Sequence, residues 1–199
     1  MDTICDDLMA VLNEMNLCDE NYLMKMLYRV LLNPNQSIQD YLYAFKQTHY
    51  HSHRHVLGIQ VRLGGCLANY KETVAFMTMK QFYAIPSLIK MRIQKLSNPV
   101  VYLSTDSDYA EQYIRSKLPN VVILTSSKYF TRLHTTGSPK LESVESALVD
   151  LILLADSDVL LYQKESGFGR IAASITRAEQ IIEMKVNRVK ISGECEDRK

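Results

Sequence analysis

The feature that most constrains the fold is an alternation of short apolar runs with longer helical stretches, which begins at about residue 56. The runs are brief and rich in β-branched residues, and the stretches between them carry apolar residues at helical spacing. Strand and helix alternate four times, which predicts βαβ units and a parallel sheet covered by helices on both faces. In such a sheet, ligands bind outside the carboxyl ends of the strands.

The predicted strands are Val56–Arg62, Val100–Thr105, Val121–Thr125 and Asp158–Gln163, with a fifth at Val186–Ile191. The predicted helices run from about residue 66 to Leu96, after Asp106–Asp108, from Ser143, and through Ala172 and Ile175. Residues 2–47 show a helical pattern that is interrupted at residues 33–35. We therefore predict an α/β chain with an N-terminal helical segment over residues 1–50 and a Rossmann-like domain, a parallel sheet flanked by helices, over residues 51–199.

The composition argues against several classes of protein. The chain has 23 Lys and Arg against 22 Asp and Glu, so it lacks the broad positive charge that nucleic-acid binding requires. Its longest apolar stretches, such as Ala147–Ala155, are interrupted by Asp150 and fall short of the roughly 18 residues of a membrane span. The 4 cysteines form no CxxC pair, which argues against a zinc ribbon.

Arg62 ends the first predicted strand, and Gly64 and Gly65 follow it. Because side chains alternate along a strand, Gln60 and Arg62 are expected on one face, with Leu57, Ile59 and Val61 on the other. A guanidinium beside a glycine turn suits a bidentate clamp on phosphate oxygens. The alternative interpretation is a surface arginine that closes a strand.

Two further strand ends carry residues that could bind a ligand. The Asp106 carboxylate, after Thr105, could accept hydrogen bonds from a purine or a ribose hydroxyl, or it could cap its own helix unless Ser107 does so. The loop Glu165–Arg170 leads into a helix, and its small residues leave backbone N–H groups and the helix dipole facing an anion. Ser166 would add a hydroxyl. The loop matches neither a Walker loop nor GxGxxG.

Histidine occupies every second position from residue 49 to residue 55, just before the first strand. These histidines could ligate a transition metal from one side of an extended chain. No carboxylate or cysteine cluster accompanies them in the sequence, and a loop between layers explains them as well. No metal site is therefore predicted.

Three blocks of sequence resemble the donor-binding half of the GDP-fucose-type fucosyltransferases, a family that includes α-1,2-, α-1,6- and protein O-fucosyltransferases. The blocks are Leu57–Arg62, Tyr102–Asp106, and Ala147–Leu161 followed by Ser166–Phe168. Their order and spacing, over about residues 56–178, make the resemblance more specific than any one block. The first motif most resembles that of the plant cell-wall α-1,2-fucosyltransferase branch, in which a glutamine often occupies the position of Gln60.

The resemblance implies one lobe of a GT-B fold, in which two Rossmann-like lobes face one another and the C-terminal lobe binds the nucleotide sugar. It implies metal-independent, inverting transfer of fucose from GDP-fucose to a glycan or protein hydroxyl, with Arg62 on the donor's pyrophosphate, stabilising the departing GDP. Asp106 would bind guanine or ribose, and the residues from Ser166 to Phe168 would bind phosphate and base. The residues implied to bind the donor are Gln60, Arg62, Thr105, Asp106, Ser166, Gly167 and Phe168, and Arg62 is also the implied catalytic residue.

The same resemblance leaves a second hypothesis open. Residues 1–50 are too few for the family's N-terminal lobe, which supplies much of the acceptor site, and no general base is identifiable. A non-catalytic nucleotide- or glycan-binding or interaction module with a Rossmann-like fold is therefore the alternative. A missing lobe or a partner chain would be needed for catalysis. The expected location is the Golgi or secretory lumen if the chain is part of an anchored enzyme, and the cytoplasm otherwise.

Overall fold

The computed structural model describes residues 33–50, 54–65, 74–126, 141–187 and 189–190. The helices in these ranges are α1 (Gln36–His49), α2 (Met79–Ile93), α3 (Asp108–Lys117), α4 (Leu141–Ala155) and α5 (Gly167–Ile175). The strands are β1 (Val56–Val61), β2 (Val74–Ala75), β3 (Val100–Thr105), β4 (Ile123–Leu124), β5 (Val159–Gln163), β6 (Gln180–Met184) and β7 (Val189–Lys190).

Five strands form one parallel sheet, in the order β4-β3-β1-β5-β6. The chain runs outward from β1 through β3 to β4, and it then returns to place β5 on the other side of β1. The direction of the strand order therefore reverses between β1 and β5, which is the switch point where open α/β sheets bind ligands. The predicted α/β class and the parallel sheet flanked by helices are confirmed.

One face of the sheet packs on α2 and α3. The side chains of Leu57, Ile59 and Val61 are fully buried on this face, as the alternation along the first strand predicts. They join apolar side chains of the neighbouring strands and of both helices, among them Leu103, Leu161, Phe82, Ile89 and Ile114. The main apolar core therefore lies between β1, its neighbours and these two helices.

The opposite face of the sheet packs on α4 and α5, and Gly58 allows α4 to approach β1 closely. A Cβ atom at Gly58 would lie 2.1 Å from the Ser157 Oγ and 3.4 Å from the carbonyl oxygen of Leu154. The Ser157 hydroxyl donates to the Leu153 carbonyl at 3.2 Å, which fixes its place after the helix. The space available, and not the backbone conformation, therefore requires glycine at this position.

Helix α1 belongs to the same unit as the sheet. Its cap is Asn35, whose side chain accepts a backbone N–H of the first turn at 3.0 Å. The Phe45 ring meets the Tyr102 ring of β3 edge-on, with centroids 6.0 Å apart. The compact unit begins at Pro34, earlier than the boundary predicted at about residue 50, because a helical pattern alone does not show what the helix packs against. The helices predicted over residues 2–32 lie outside the described residues.

The last strands of the chain, β6 and β7, differ from the prediction. The strand predicted at Val186–Ile191 is only partly confirmed, because Val189–Lys190 pairs antiparallel with β2 and lies outside the main sheet. The fifth parallel strand is β6, which the sequence analysis missed. It is an edge strand with Ile181 46% exposed, so it lacks the apolar run by which buried parallel strands are recognised. The region predicted as helical from residue 66 contains β2 before α2 begins.

We expect Gly58→Ala to lower the free energy of unfolding by about 1–3 kcal/mol, because the added methyl group overlaps the Ser157 side chain and the segment that carries Ser157 must shift. Urea denaturation followed by circular dichroism measures this loss. Gly167→Ala is the matched control, since a Cβ atom there meets nothing within 4 Å. We expect it to change the free energy by less than about 0.5 kcal/mol. Equal losses in the two variants would contradict the packing argument.

Candidate functional site

The turn after β1 lies at the carboxyl end of the central strand. Arg62 opens this turn, and Gly64 and Gly65 follow with φ angles of 60° and 58°, a left-handed backbone that glycine adopts readily. The Asp106 carboxylate, just after β3, accepts the Leu63 N–H at 2.9 Å and the Gly64 N–H at 3.0 Å. The turn is therefore tied to the strand on one side of β1.

The Arg62 side chain is held in place while 26% of it stays exposed. Its Nε lies 3.9 Å from Oδ2 of Asp106, and its guanidinium carbon lies 4.1 Å from the centroid of the Phe76 ring. A guanidinium over an aromatic face is attracted by the ring quadrupole. Phe76 reaches this place because its backbone N–H donates to the Leu63 carbonyl at 2.8 Å. The turn therefore presents an oriented cation at the edge of the sheet.

Gln163, the last residue of β5, bonds to both backbone groups of Arg62. Its Oε1 accepts the Arg62 N–H, and its Nε2 donates to the Arg62 carbonyl at 3.1 Å. The Gln163 side chain is fully buried, and its own backbone N–H donates to Oε1 of Gln60 at 3.3 Å. The turn is therefore tied to the strand on the other side of β1 as well.

Gln60 occupies a supporting position inside the protein. The residue is 3% exposed. A Cβ atom at Gly169 would lie 2.7 Å from Oε1 of Gln60, so α5 passes close to this side chain. Gln60 thus connects β1, β5 and α5. Its implied role in binding the donor stays a prediction.

The start of α5 lies at the same edge of the sheet. Ser166 is fully buried and caps the helix, accepting the Gly169 N–H at 3.3 Å. A Cβ atom at Gly167 would meet nothing within 4 Å, so the backbone there is open on that side. Phe168 is half-buried. The three residues predicted to hold phosphate and base therefore form the cap and first turn of α5, and the serine oxygen serves the helix.

Asp106 does not cap α3. The cap is Ser107, whose Oγ accepts the Ala110 N–H at 3.2 Å, and Thr105 Oγ1 in turn accepts the Ser107 N–H at 3.3 Å. The capping interpretation of Asp106 is therefore wrong, and its carboxylate faces the turn after β1 instead. The contacts of Asp106 and of Thr105 with guanine or ribose stay predictions.

A second carboxylate, Asp150 of α4, joins the ends of β3 and β4. It accepts the Tyr102 hydroxyl at 2.5 Å, the Ser104 hydroxyl at 2.8 Å and the Ser126 hydroxyl. Burial, followed by the charge of Asp150, raises the pKa of Tyr102 well above its ordinary value. Tyr102 therefore remains a protonated donor to this carboxylate at physiological pH.

The two histidines that lie in the described residues occupy different surroundings. The His49 ring packs 4.7 Å from the Phe45 ring, and burial lowers the pKa of His49. His55 instead contacts the Ser97 carbonyl oxygen through Nδ1 at 3.0 Å. Across the described ranges, no three His, Cys, Asp or Glu side chains are grouped so that they could hold a metal ion. Nor does any helix described here have the length and apolar character to cross a membrane.

Sequence reasoning missed three residues of this edge: Gln163, Phe76 and Asp150. A polar residue that ends an apolar strand is a signal that could have drawn attention to Gln163. Asp150 stood out only as an interruption of an apolar helix. Phe76 fell in a region predicted as helix, and no sequence signal places it beside Arg62.

Comparison with known families identifies the relatives of this chain. The model of the NodZ family, Nodulation protein Z, matches residues 2–196. The chain belongs to the NodZ family. A search among curated proteins gave no match. Membership in the NodZ family agrees with the fucosyltransferase resemblance of the sequence.

Solved structures of NodZ and of a second protein share the fold. NodZ α-1,6-fucosyltransferase co-crystallized with GDP has 19% identity and a TM-score of 0.51, over 78% of this chain and 48% of that chain. Fucosyltransferase NodZ from Bradyrhizobium has 20% identity and a TM-score of 0.52, over 78% of this chain and 47% of that one. POFUT1 in complex with GDP-fucose has 9% identity and a TM-score of 0.50, over 76% and 47%. The chain therefore spans about half the length of the structures it matches.

We expect Asp106→Ala to lower the free energy of unfolding by about 2–4 kcal/mol, because it leaves the buried N–H groups of Leu63 and Gly64 without their acceptor. Urea denaturation measures the loss. Asp40→Ala is the control, since Asp40 is an exposed residue of α1, and a change within about 0.5 kcal/mol is expected there. A loss in Asp106→Ala no larger than in the control would show that the turn does not depend on this carboxylate.

Proposed function

We propose that this chain binds GDP-fucose and forms the donor-binding part of a fucosyltransferase that transfers fucose to a glycan or protein hydroxyl. The observation that carries the proposal is the position of Arg62 at the switch point of the sheet in a NodZ-family chain. NodZ with GDP and POFUT1 with GDP-fucose, which share the fold, support it. Because open α/β sheets bind ligands at the switch point, the donor pyrophosphate would lie against the turn after β1.

Arg62 would act on the pyrophosphate as a fixed cation. Its guanidinium fork matches two phosphate oxygens, which gives both attraction and orientation. When the bond between fucose and the β-phosphate breaks, negative charge grows on the departing GDP. A cation that is already in place lowers the energy of this transition state without having to move. The proposed mechanism therefore needs no metal ion.

The first turn of α5 would hold a further part of the donor. The backbone at Gly167 is open on the side where a Cβ atom would otherwise stand, so a phosphate oxygen can approach it. The positive end of the helix dipole favours an anion at the same place. The half-buried ring of Phe168 offers an apolar surface for the base.

Two further points concern the acceptor: the branch of the family to which the chain is related, and the part of the protein that completes the acceptor site. The first motif, with Gln60, resembles that of the plant α-1,2 branch, and we propose that the chain is related to this branch. Since the chain spans about half of the matched structures, we propose that a second lobe, on the same chain or on a partner, completes the acceptor site. Analysis of the linkage in a fucosylated product would distinguish α-1,2 from α-1,6 transfer.

We expect Arg62→Ala to weaken GDP binding by about tenfold to a hundredfold, the range for losing a charge-assisted hydrogen bond to a phosphate. Isothermal titration calorimetry with GDP, without added metal, measures the affinity, and ADP and UDP test the preference for guanine. Arg177→Ala is the matched control, because Arg177 is exposed and lies before β6, at the amino end of the sheet.

Two results would count against the proposal. Equal GDP affinity for Arg62→Ala and the unchanged chain would remove Arg62 from the site. No saturable binding of GDP or GDP-fucose by the unchanged chain would overturn donor binding by this lobe. Binding of GDP without turnover of GDP-fucose, with acceptors supplied, would favour a non-catalytic binding module.

A further inference from the structure

We propose that Gln163 is a positioning residue that sets the place of the Arg62 guanidinium and, through it, the affinity for a nucleoside diphosphate. This inference rests on the proposed function, because it assumes that Arg62 contacts the diphosphate. It concerns a residue that the sequence analysis placed only at the end of a strand.

The backbone ladder between β1 and β5 stops before the site. Its last pair is Ile59 with Leu161, so the two strands part as they approach the carboxyl edge. Beyond that pair, the side chain of Gln163 replaces the missing ladder and reaches across to Arg62. The residue that carries the guanidinium is therefore joined to β5 by a side chain instead of by the backbone.

The two hydrogen bonds of Gln163 act on the same residue. One holds the Arg62 N–H and the other holds the Arg62 carbonyl, at 3.1 Å. Restraining both backbone groups of one residue restricts the direction of its Cα–Cβ bond. The Arg62 side chain leaves from this fixed point and reaches the Phe76 ring at 4.1 Å. Gln163 therefore helps to fix the point at which the Arg62 side chain leaves the backbone, and the Phe76 ring contacts the guanidinium at its other end.

The chemistry of the glutamine side chain fits this task closely. A primary amide carries an acceptor and a donor side by side, which is what a backbone N–H and carbonyl require. Gln163 is fully buried, so water cannot readily replace either bond. Asp106, in contrast, holds the next two residues, Leu63 and Gly64, and leaves the Arg62 backbone groups to Gln163. Loss of the Gln163 amide should therefore displace the backbone of Arg62 more than that of Leu63 and Gly64.

The first test observes the contact directly, without any ligand. In the full chain, we expect Gln163→Leu to remove the protection of the Arg62 amide from hydrogen exchange, measured by NMR, while the Ile59 amide inside the ladder stays protected. Gln163→Met is made in parallel, because its unbranched side chain keeps the length of glutamine and gives a second folded variant to measure. Protection of the Arg62 amide that survives both substitutions would overturn the inference.

The second test asks whether the contact acts through Arg62. We expect Gln163→Leu to weaken GDP binding by about tenfold, and to weaken it no further when Arg62→Ala is already present. A residue that only stabilises the fold would weaken binding equally in both backgrounds. Thr176→Val is the control, because the buried Thr176 hydroxyl donates to the Ala155 carbonyl at the opposite edge of the sheet. It should cost stability and leave GDP affinity unchanged.

The outcomes separate this inference from the function on which it rests. A chain that binds no GDP overturns the proposed function and, with it, the role of Gln163 in binding. GDP binding that depends on Arg62 but not on Gln163 overturns the inference alone. Equal losses from Gln163→Leu with and without Arg62 also overturn it. Lost amide protection together with a non-additive loss of affinity supports it.

Discussion

The turn after β1 depends on hydrogen bonds from polar side chains on both neighbouring strands. The Asp106 carboxylate holds two of its N–H groups from the β3 side, and the Gln163 amide holds Arg62 from the β5 side. Neither contact belongs to the sheet ladder, which has ended by this point between β1 and β5. A turn with two left-handed glycines has little rigidity of its own. Its geometry is therefore imposed from outside, by strands that are far apart in sequence.

Features that depend on local sequence patterns could be predicted, and features that depend on distant partners could not. The buried strands β1, β3 and β5 could be predicted because apolar runs and alternation are local signals, and Leu57, Ile59 and Val61 share the predicted face. The edge strand β6 could not, because its first two residues are exposed, the next two are half-buried and only Met184 is buried. The position of Arg62 at a strand end could also be predicted, since it needs only the end of an apolar run.

The supporting contacts of the site could not be predicted in the same way. Gln163 and Arg62 stand 101 residues apart, and Asp106 and Leu63 stand 43 apart. Nothing local in the sequence selects these partners, because any polar residue at a strand end could serve a cap, a ligand or a neighbouring turn. Asp106 is an example of this ambiguity, because its sequence context also allowed it to cap α3. Ser107 caps that helix instead, since its hydroxyl reaches the Ala110 N–H. The strand order decides which distant groups, such as the Leu63 and Gly64 N–H groups, come within reach of such a residue.

The charge of Asp106 bears on how strongly Arg62 can attract an anion. At 3.9 Å from Nε of Arg62, the carboxylate is at the limit of an ion pair, and Coulomb attraction at this distance is about 4 kcal/mol near a protein surface. However, both carboxylate oxygens also accept backbone N–H groups, whose partial positive charges offset part of the negative charge. A carboxylate used in this way orients the guanidinium and offsets only part of its charge. Because the net charge of the whole chain is only +1, the attraction for a diphosphate must come from such local positive groups, Arg62 first among them.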